Sequence, residues 1–295
     1  MIPKLDNISA SQSHYLDFLN ALKGTSFKGD ISPDYANRIV LGTDNSIYQV
    51  LPQGVIYPSN ENDLILLAQL ADEKRFHDIV LSPRGGGTGT NGQSLTDGIV
   101  VDVSKHMNKI LEINTEENWV RVQTGVVKDQ LNAALKPHGL FFAPELSTSN
   151  RATIGGMIST DASGQGSCLY GKTRDHVLEL KTVLLEGSVL ASSAIDDQEL
   201  EGVSEQQDKL GQIHRLINGI QREYKTQIEE TFPPLNRCLT GYDLAHIRDE
   251  ENHFNLNNII CGSEGTLGFV SEAKLNVLKI PQHAALVLVK YSDFD

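Results

Sequence analysis

The sequence predicts an α+β chain of two lobes: a small β-α-β lobe, then a larger lobe of mixed and antiparallel sheet with helices. Three observations predict it. Residues 54–103 run strand, helix, strand, glycine-rich loop, strand. From residue 109 the pattern changes to period-two alternation broken by tight turns, the mark of antiparallel hairpins. The 295 residues make about two average domains, long enough to bury a core without disulfide staples.

Each element has its own reason. Ile8, Tyr15, Leu16, Phe18, Leu19 and Leu22 share one face of a helix, so residues 1–44 read as an N-terminal helical segment. Residues 48–51 and 54–57 read as short strands punctuated by Pro52 and Pro58. Ser59 is placed to cap a helix through about Lys74, with Leu64, Leu67, Ala68 and Ala71 on its inner face. Residues 79–81 and 99–103 are apolar runs that read as buried strands, completing a first lobe over 45–105.

The second lobe is expected over 106–282. Residues 110–113 and 119–123 alternate around an Asn/Thr/Glu turn and predict a hairpin. Residues 127–135 predict a short helix ending near Pro137 and Gly139. Residues 177–185 and 188–190 predict a second hairpin around Glu186 and Gly187. The polar stretch 191–211 reads as loop, and 212–230 as a helix ending before Pro233 and Pro234. Residues 283–291 read as a strong strand, taken as the start of a further cap domain at 283–295 whose remainder the chain does not include.

Composition excludes several functions. A net charge of −13 repels phosphate backbones, so nucleic acid is not an expected partner. No apolar run approaches the roughly 20 residues of a membrane span, so no transmembrane segment is expected. The N-terminus has no basic-then-apolar signal pattern. Cys168, Cys238 and Cys261 are scattered, without CxxC spacing, and form neither a zinc nor an iron–sulfur site by themselves. A cytoplasmic location is expected, with peripheral membrane attachment left open.

Three glycine-rich loops carry the chemistry. The first is Pro83, Arg84, Gly85, Gly86, Gly87, Thr88, Gly89, Thr90 and Asn91, continuing through Gly92 to Gln93 and Ser94. Gly87, Gly89 and Gly92 spell a formal GxGxxG. Only residues 93–98 separate it from the next strand, so the helix that a dinucleotide fingerprint requires does not fit. Residues 166–173 match the phosphate-loop pattern through Gly166, Gly171, Lys172 and Thr173. That motif needs a strand before it and a helix after it, and the flanks read the other way; a nucleotide hydrolase stays as the alternative. Successive glycines can nonetheless aim several backbone N–H groups at one anion. Ala152, Thr153, Ile154, Gly155, Gly156 and Ser159 form a second such segment; Gly262, Ser263, Glu264 and Gly265 form a third. Together the three loops point to an extended, phosphate-bearing ligand.

Taken in order, these motifs resemble the FAD-binding, PCMH-type domain of the vanillyl-alcohol oxidase superfamily. The likeness spans about residues 45–290. Within that superfamily the chain is similar to the branch of D-lactate, glycolate and D-2-hydroxyglutarate dehydrogenases. Residues 141–150 and 161–166 are most similar to long bacterial members with an iron–sulfur C-terminal half. The resemblance implies FAD lying between two lobes, with residues 84–91 cradling its pyrophosphate. It implies that Pro144, Glu145, Ser147 and Thr148 run along the ribityl chain and flavin, together with Thr153, Ile154, Gly155, Gly156, Ser159, Ser163 and Gly164. Gly262, Glu264, Gly265 and Val270 would close the site.

Some relatives attach FAD through a histidine in the first loop. Here that place reads Gly87, Thr88, Gly89, so non-covalent FAD is expected. The implied reaction is oxidation of a D-2-hydroxy acid (D-2-hydroxyglutarate or D-lactate) by hydride transfer to FAD. Electrons would pass on to an iron–sulfur module, a quinone or an electron-transfer protein. Any iron–sulfur cluster would belong to the missing C-terminal part. No catalytic residue and no metal ligand is assigned within this segment, which by itself is expected to bind FAD without turnover. Arg151, Lys172 and Arg174 are candidates to hold a substrate carboxylate, and Tyr170 and Tyr242 to pack on a ring system.

Overall fold

The computed structural model describes residues 10–233, 235, 241–249, 251–283, 285–291 and 293. Ile8, Pro234, Cys238 and Ala284 lie outside the described residues.

The first lobe is a four-stranded sheet covered by helices. In chain order it comprises α1 (Ser13–Lys23), β1 (Asp30–Ser32), α2 (Tyr35–Leu41), β2 (Gly54–Tyr57), α3 (Glu61–Ala71), β3 (Leu81–Arg84) and β4 (Ile99–Asp102). The sheet order is β1-β2-β4-β3. β4 pairs in parallel with β2 and β3, and β1 is antiparallel to β2. The parallel pairs need crossovers. The first is α3, started by the Asn60 side chain accepting from the Asp63 amide at 3.1 Å.

Phe18, Leu19 and Leu22 of α1 share one buried cluster with Leu64, Leu67, Ile56 and Val101. The N-terminal helix is therefore built into this core rather than set apart from it. Residues 48–51 are not a strand: Gln49 makes only an isolated bridge to Thr43, and Tyr48 is exposed. β3 starts two residues later than expected and runs through Pro83, which an edge strand tolerates.

The second lobe continues with β5 (Ile110–Asn114), β6 (Trp119–Gln123), α4 (Lys128–Leu135), β7 (Leu140–Phe141), α5 (Ile154–Ser159) and α6 (Ser167–Tyr170). There follow β8 (Val177–Val183), β9 (Val189–Ile195), α7 (Asp197–Ser204), α8 (Lys209–Glu223) and α9 (Lys225–Thr231). Last come β10 (Phe254–Asn255), α10 (Asn257–Ile260), β11 (Phe269–Asn276) and β12 (Leu278–Lys279). The six-stranded antiparallel sheet runs β10-β9-β8-β11-β6-β5.

Both expected hairpins form. The strand that joins them, β11, lies between β6 and β8, with Phe269, Ser271, Ala273 and Leu275 turned inward. Residues 191–211 are not loop: β9 extends to Ile195, and Asp196 with Glu199 forms a capping box that starts α7. The helix expected over 212–230 breaks at Tyr224 into α8 and α9. The strand expected at 283–291 is not formed. The described residues there carry no regular structure, and Leu286 and Leu288 are 96% and 91% exposed. A strand is held by a partner's backbone groups, and these residues have none in the described sheets.

The lobes meet along one seam. Val183 of β8 and Phe269 of β11 are buried in the first lobe's cluster. The Ser271 hydroxyl donates to Glu61 Oε2 of α3 at 2.6 Å.

Candidate functional site

A cavity of about 950 Å³ opens along this seam. Its first wall is the end of β3 and the loop after it: Pro83 to Thr90, then Gln93 and Ser94. The amides of Gly86, Gly87, Thr88, Gly89 and Thr90 donate to no protein acceptor among the described residues. The next amide, of Asn91, donates to Gln93 Oε1 at 3.0 Å, and Asn91 stands outside the wall. Gly85 and Gly86 are glycines because the loop lies directly on residues 151–153. A Cβ on Gly85 would fall 2.0 Å from Thr153 Oγ1, and one on Gly86 2.1 Å from the Arg151 carbonyl oxygen. Arg84 is buried and braces the loop from behind, its guanidinium donating to the carbonyls of Thr43 at 2.6 Å and Leu41 at 3.2 Å.

The second glycine segment differs from the open anion nest expected of it. It forms α5, with the Thr153 hydroxyl accepting from the Gly156 amide at 3.3 Å. The Ile154 and Gly155 amides are engaged by the carbonyls of Val126 and Thr124, each at 2.8 Å. Thr153, Gly155, Gly156 and Ser159 line the cavity; Ile154 is fully buried in the second core behind it. A nest needs donors left free, and here the hairpin end has taken them.

The third turn is likewise docked. The Gly262 amide donates to Ile158 at 2.9 Å and the Glu264 amide to Ser159 at 2.8 Å. Gly265 locks against β3, where a Cβ would meet Pro83 Cγ at 2.3 Å. Glu264 and Val270 reach the cavity; Gly262 and Gly265 do not line it. Glu264 has φ 53°, and burial pushes its carboxyl above the ordinary value. The remaining wall is Glu145, Leu146, Ser147, Thr148 and Ser149 with Ser163 and Gly164, while Pro144 is buried behind it.

The phosphate-loop match at 166–173 is overturned. Lys172 Nζ pairs with Asp161 Oδ2 at 2.6 Å, both side chains under 10% exposed, and the Thr173 hydroxyl donates to the Ala162 carbonyl at 2.7 Å. α6 lies inside the motif, and the strand β8 follows where a helix would be needed. The carboxylate candidates fare no better. Arg174 is ion-paired to Asp243, and neither it, Lys172 nor Arg151 lines the cavity. Tyr170 packs edge-on against Phe141 and Tyr242 bonds Thr266, both outside the wall.

A second cation lining the cavity, besides Arg84, went unread in the sequence. Lys128 opens α4, is 6% exposed, and its ammonium has no hydrogen bond or ion pair among the described residues. Burial pushes its pKa down. The available signal was its place at i in an i, i+3, i+7 set with buried Leu131 and Leu135.

Residues 52–193 match the family model for the FAD binding domain. Residues 52–193 are thus similar to an FAD binding domain. The whole chain is 63% identical over 294 residues to D-2-hydroxyglutarate dehydrogenase of Pseudomonas putida and 50% identical over 296 residues to that of Escherichia coli. It spans 29% of the length of each. Among solved structures, alkyldihydroxyacetonephosphate synthase superposes with a TM-score of 0.65 at 20% identity, covering 94% of this chain and 42% of that one. That likeness is one of fold, and it agrees with the two-lobed α+β architecture. The FAD binding domain match runs from just before β2 into β9, so it takes in the amide-lined loop, α4 and α5 but ends before Glu264.

Proposed function

We propose that this chain is the FAD-holding portion of a flavin-dependent dehydrogenase that oxidises D-2-hydroxyglutarate to the 2-oxo acid. The carrying observation is the run of five amides, Gly86 to Thr90, without a protein acceptor among the described residues, in a loop that lines a seam cavity inside the stretch matching an FAD binding domain. The substrate reading draws on the relatives' name; D-lactate is the second candidate.

The cavity fits the cofactor. Its volume lies within the ~300–1,000 Å³ common to ligand sites. The free amides suit a diphosphate, which side-chain-free backbone lets approach closely. Thr88 and Thr90 add hydroxyls, Ser94 holds the loop by donating to Asp44 Oδ2 at 3.0 Å, and Met157, Phe269 and Val270 give an apolar wall for a flat ring. When bound, FAD supplies the hydride acceptor. The protein's part is to hold and orient it: the 86–90 amides at the diphosphate, with Gln93 at the loop's end. Ser147, Thr148, Ser159 and Ser163 serve the sugar-alcohol chain, and Glu264 takes a hydroxyl or ring N–H. Asn91, Pro144, Ile154, Gly262 and Gly265 support these from behind.

No histidine lies in the first loop, so the flavin is held without a covalent bond. The electron acceptor we assign to an iron–sulfur module, a quinone or an electron-transfer protein. Among the described residues no helix is long and apolar enough to cross a membrane, and no His/Cys/Asp/Glu group could hold a metal.

A visible spectrum after incubation with FAD and desalting tests this reading. Retained flavin bands that acid precipitation releases into the supernatant are expected. No retained flavin would overturn the assignment, and flavin fixed to the polypeptide would overturn the non-covalent part. Anaerobic bleaching by D-2-hydroxyglutarate rather than D-lactate would decide the substrate.

A further inference from the structure

Lys128 is the one cationic side chain lining the cavity, among the described residues, whose donors have no acceptor. Arg84 also lines it, but its guanidinium is bonded to the carbonyls of Leu41 and Thr43. An ammonium on a largely buried side chain, without a partner, costs free energy, so its presence calls for an anion that arrives later. Asp129 and Glu145 act on it only through longer-range charge, with no hydrogen bond to either among the described residues.

The backbone brings the root of Lys128 next to the free-amide loop. The Lys128 amide donates to the Ala152 carbonyl at 3.0 Å. On the other side of this segment, a Cβ on Gly86 would lie 3.5 Å from Ala152 Cα. Residue 152 is thus shared by the root of Lys128 and the start of the free-amide loop. Oxidised FAD carries its negative charge on the diphosphate, while its ring system and adenine are neutral. We propose that Lys128 is the counter-charge for the FAD diphosphate, completing a cradle whose other half is the amide run of Gly86, Gly87, Thr88, Gly89 and Thr90. This rests on the FAD reading above.

The test compares the full chain with Lys128→Met and Lys128→Arg by titration with FAD, ADP and riboflavin, and by thermal melting without ligand. A charge-assisted bond to a buried phosphate contributes on the order of 10- to 100-fold in affinity. The methionine variant is therefore expected to bind FAD and ADP at least tenfold more weakly. Riboflavin, which lacks the diphosphate, should bind as before, and arginine should restore much of the loss. Without ligand, the methionine variant should melt at the same temperature or higher, because an unpaired buried charge is gone. Unchanged FAD binding in Lys128→Met, with the wild type binding normally, overturns the proposal alone. An equal loss for riboflavin places the lysine elsewhere on the ligand and overturns it too. So does a lower melting temperature without ligand, which assigns the lysine to packing. A wild-type chain that binds no FAD overturns the FAD reading itself.

Discussion

At Gly86 a single methyl group has no room: its carbon would lie 2.1 Å from the backbone oxygen of Arg151. The obstacle is main chain, so no rotamer change relieves it. Gly86→Ala is expected to destabilise the fold by about 1–3 kcal/mol, as overpacking does, and to lower flavin retention; chemical denaturation with and without FAD would register both. Glu264 gives a pH signature. Burial raises its carboxyl above 4.5, so between 4.5 and that raised value the folded chain keeps a proton the unfolded chain releases. The contribution is present at low pH and declines as pH rises through that window. Glu264→Gln should remove this decline, giving a flatter stability curve from acid to neutral pH in urea titrations; an unchanged slope would place the titrating group elsewhere. Both residues were named from the sequence as cofactor contacts. What the sequence did not carry was the distinction between loops. Three glycine segments look alike in composition, yet among the described residues only the first keeps a run of amides, Gly86 to Thr90, without acceptors, since Val126, Thr124, Ile158 and Ser159 take donors of the other two.

Among the elements, the hairpins were legible because their partners are separated by a single turn, and alternation alone sets the register. β11 was missed although its alternation is regular, since Ser271 interrupts the apolar series and both partners come from distant parts of the chain. It is nonetheless the strand on which the second lobe depends. Leu275 is fully buried there, and Leu275→Ala should cost about 2–5 kcal/mol, read from the midpoint of denaturant unfolding. A loss under 1 kcal/mol would mean that β11 does not hold the two hairpins together. α7 was hidden for a different reason: its Asp196–Glu199 capping box sits in a polar stretch whose inward face offers only Leu200. A cap can start a helix that hydrophobic periodicity does not announce.

For the molecule as a whole, the position of the cavity matters more than its size. It is walled by the loop after β3 of one lobe and by α5 and the 145–149 segment of the other, so a ligand there ties two cores into one unit. FAD at a hundredfold excess over its dissociation constant should stabilise the chain by about 2.7 kcal/mol. Calorimetry should show the two lobes melting together, and hydrogen exchange should slow at α5 as well as at residues 86–90. Protection confined to the first lobe would refute the bridging position. The sequence by itself determined the two-lobe α+β class, the glycine loop and the kinship with FAD binding domains, because these reside in local periodicity and in contiguous motifs. Folding alone brings Asp161 and Asp243 onto Lys172 and Arg174, and leaves Lys128 without an ion pair among the described residues. Whether a charge is free depends on what folds against it from far along the chain, and no spacing in the sequence encodes that.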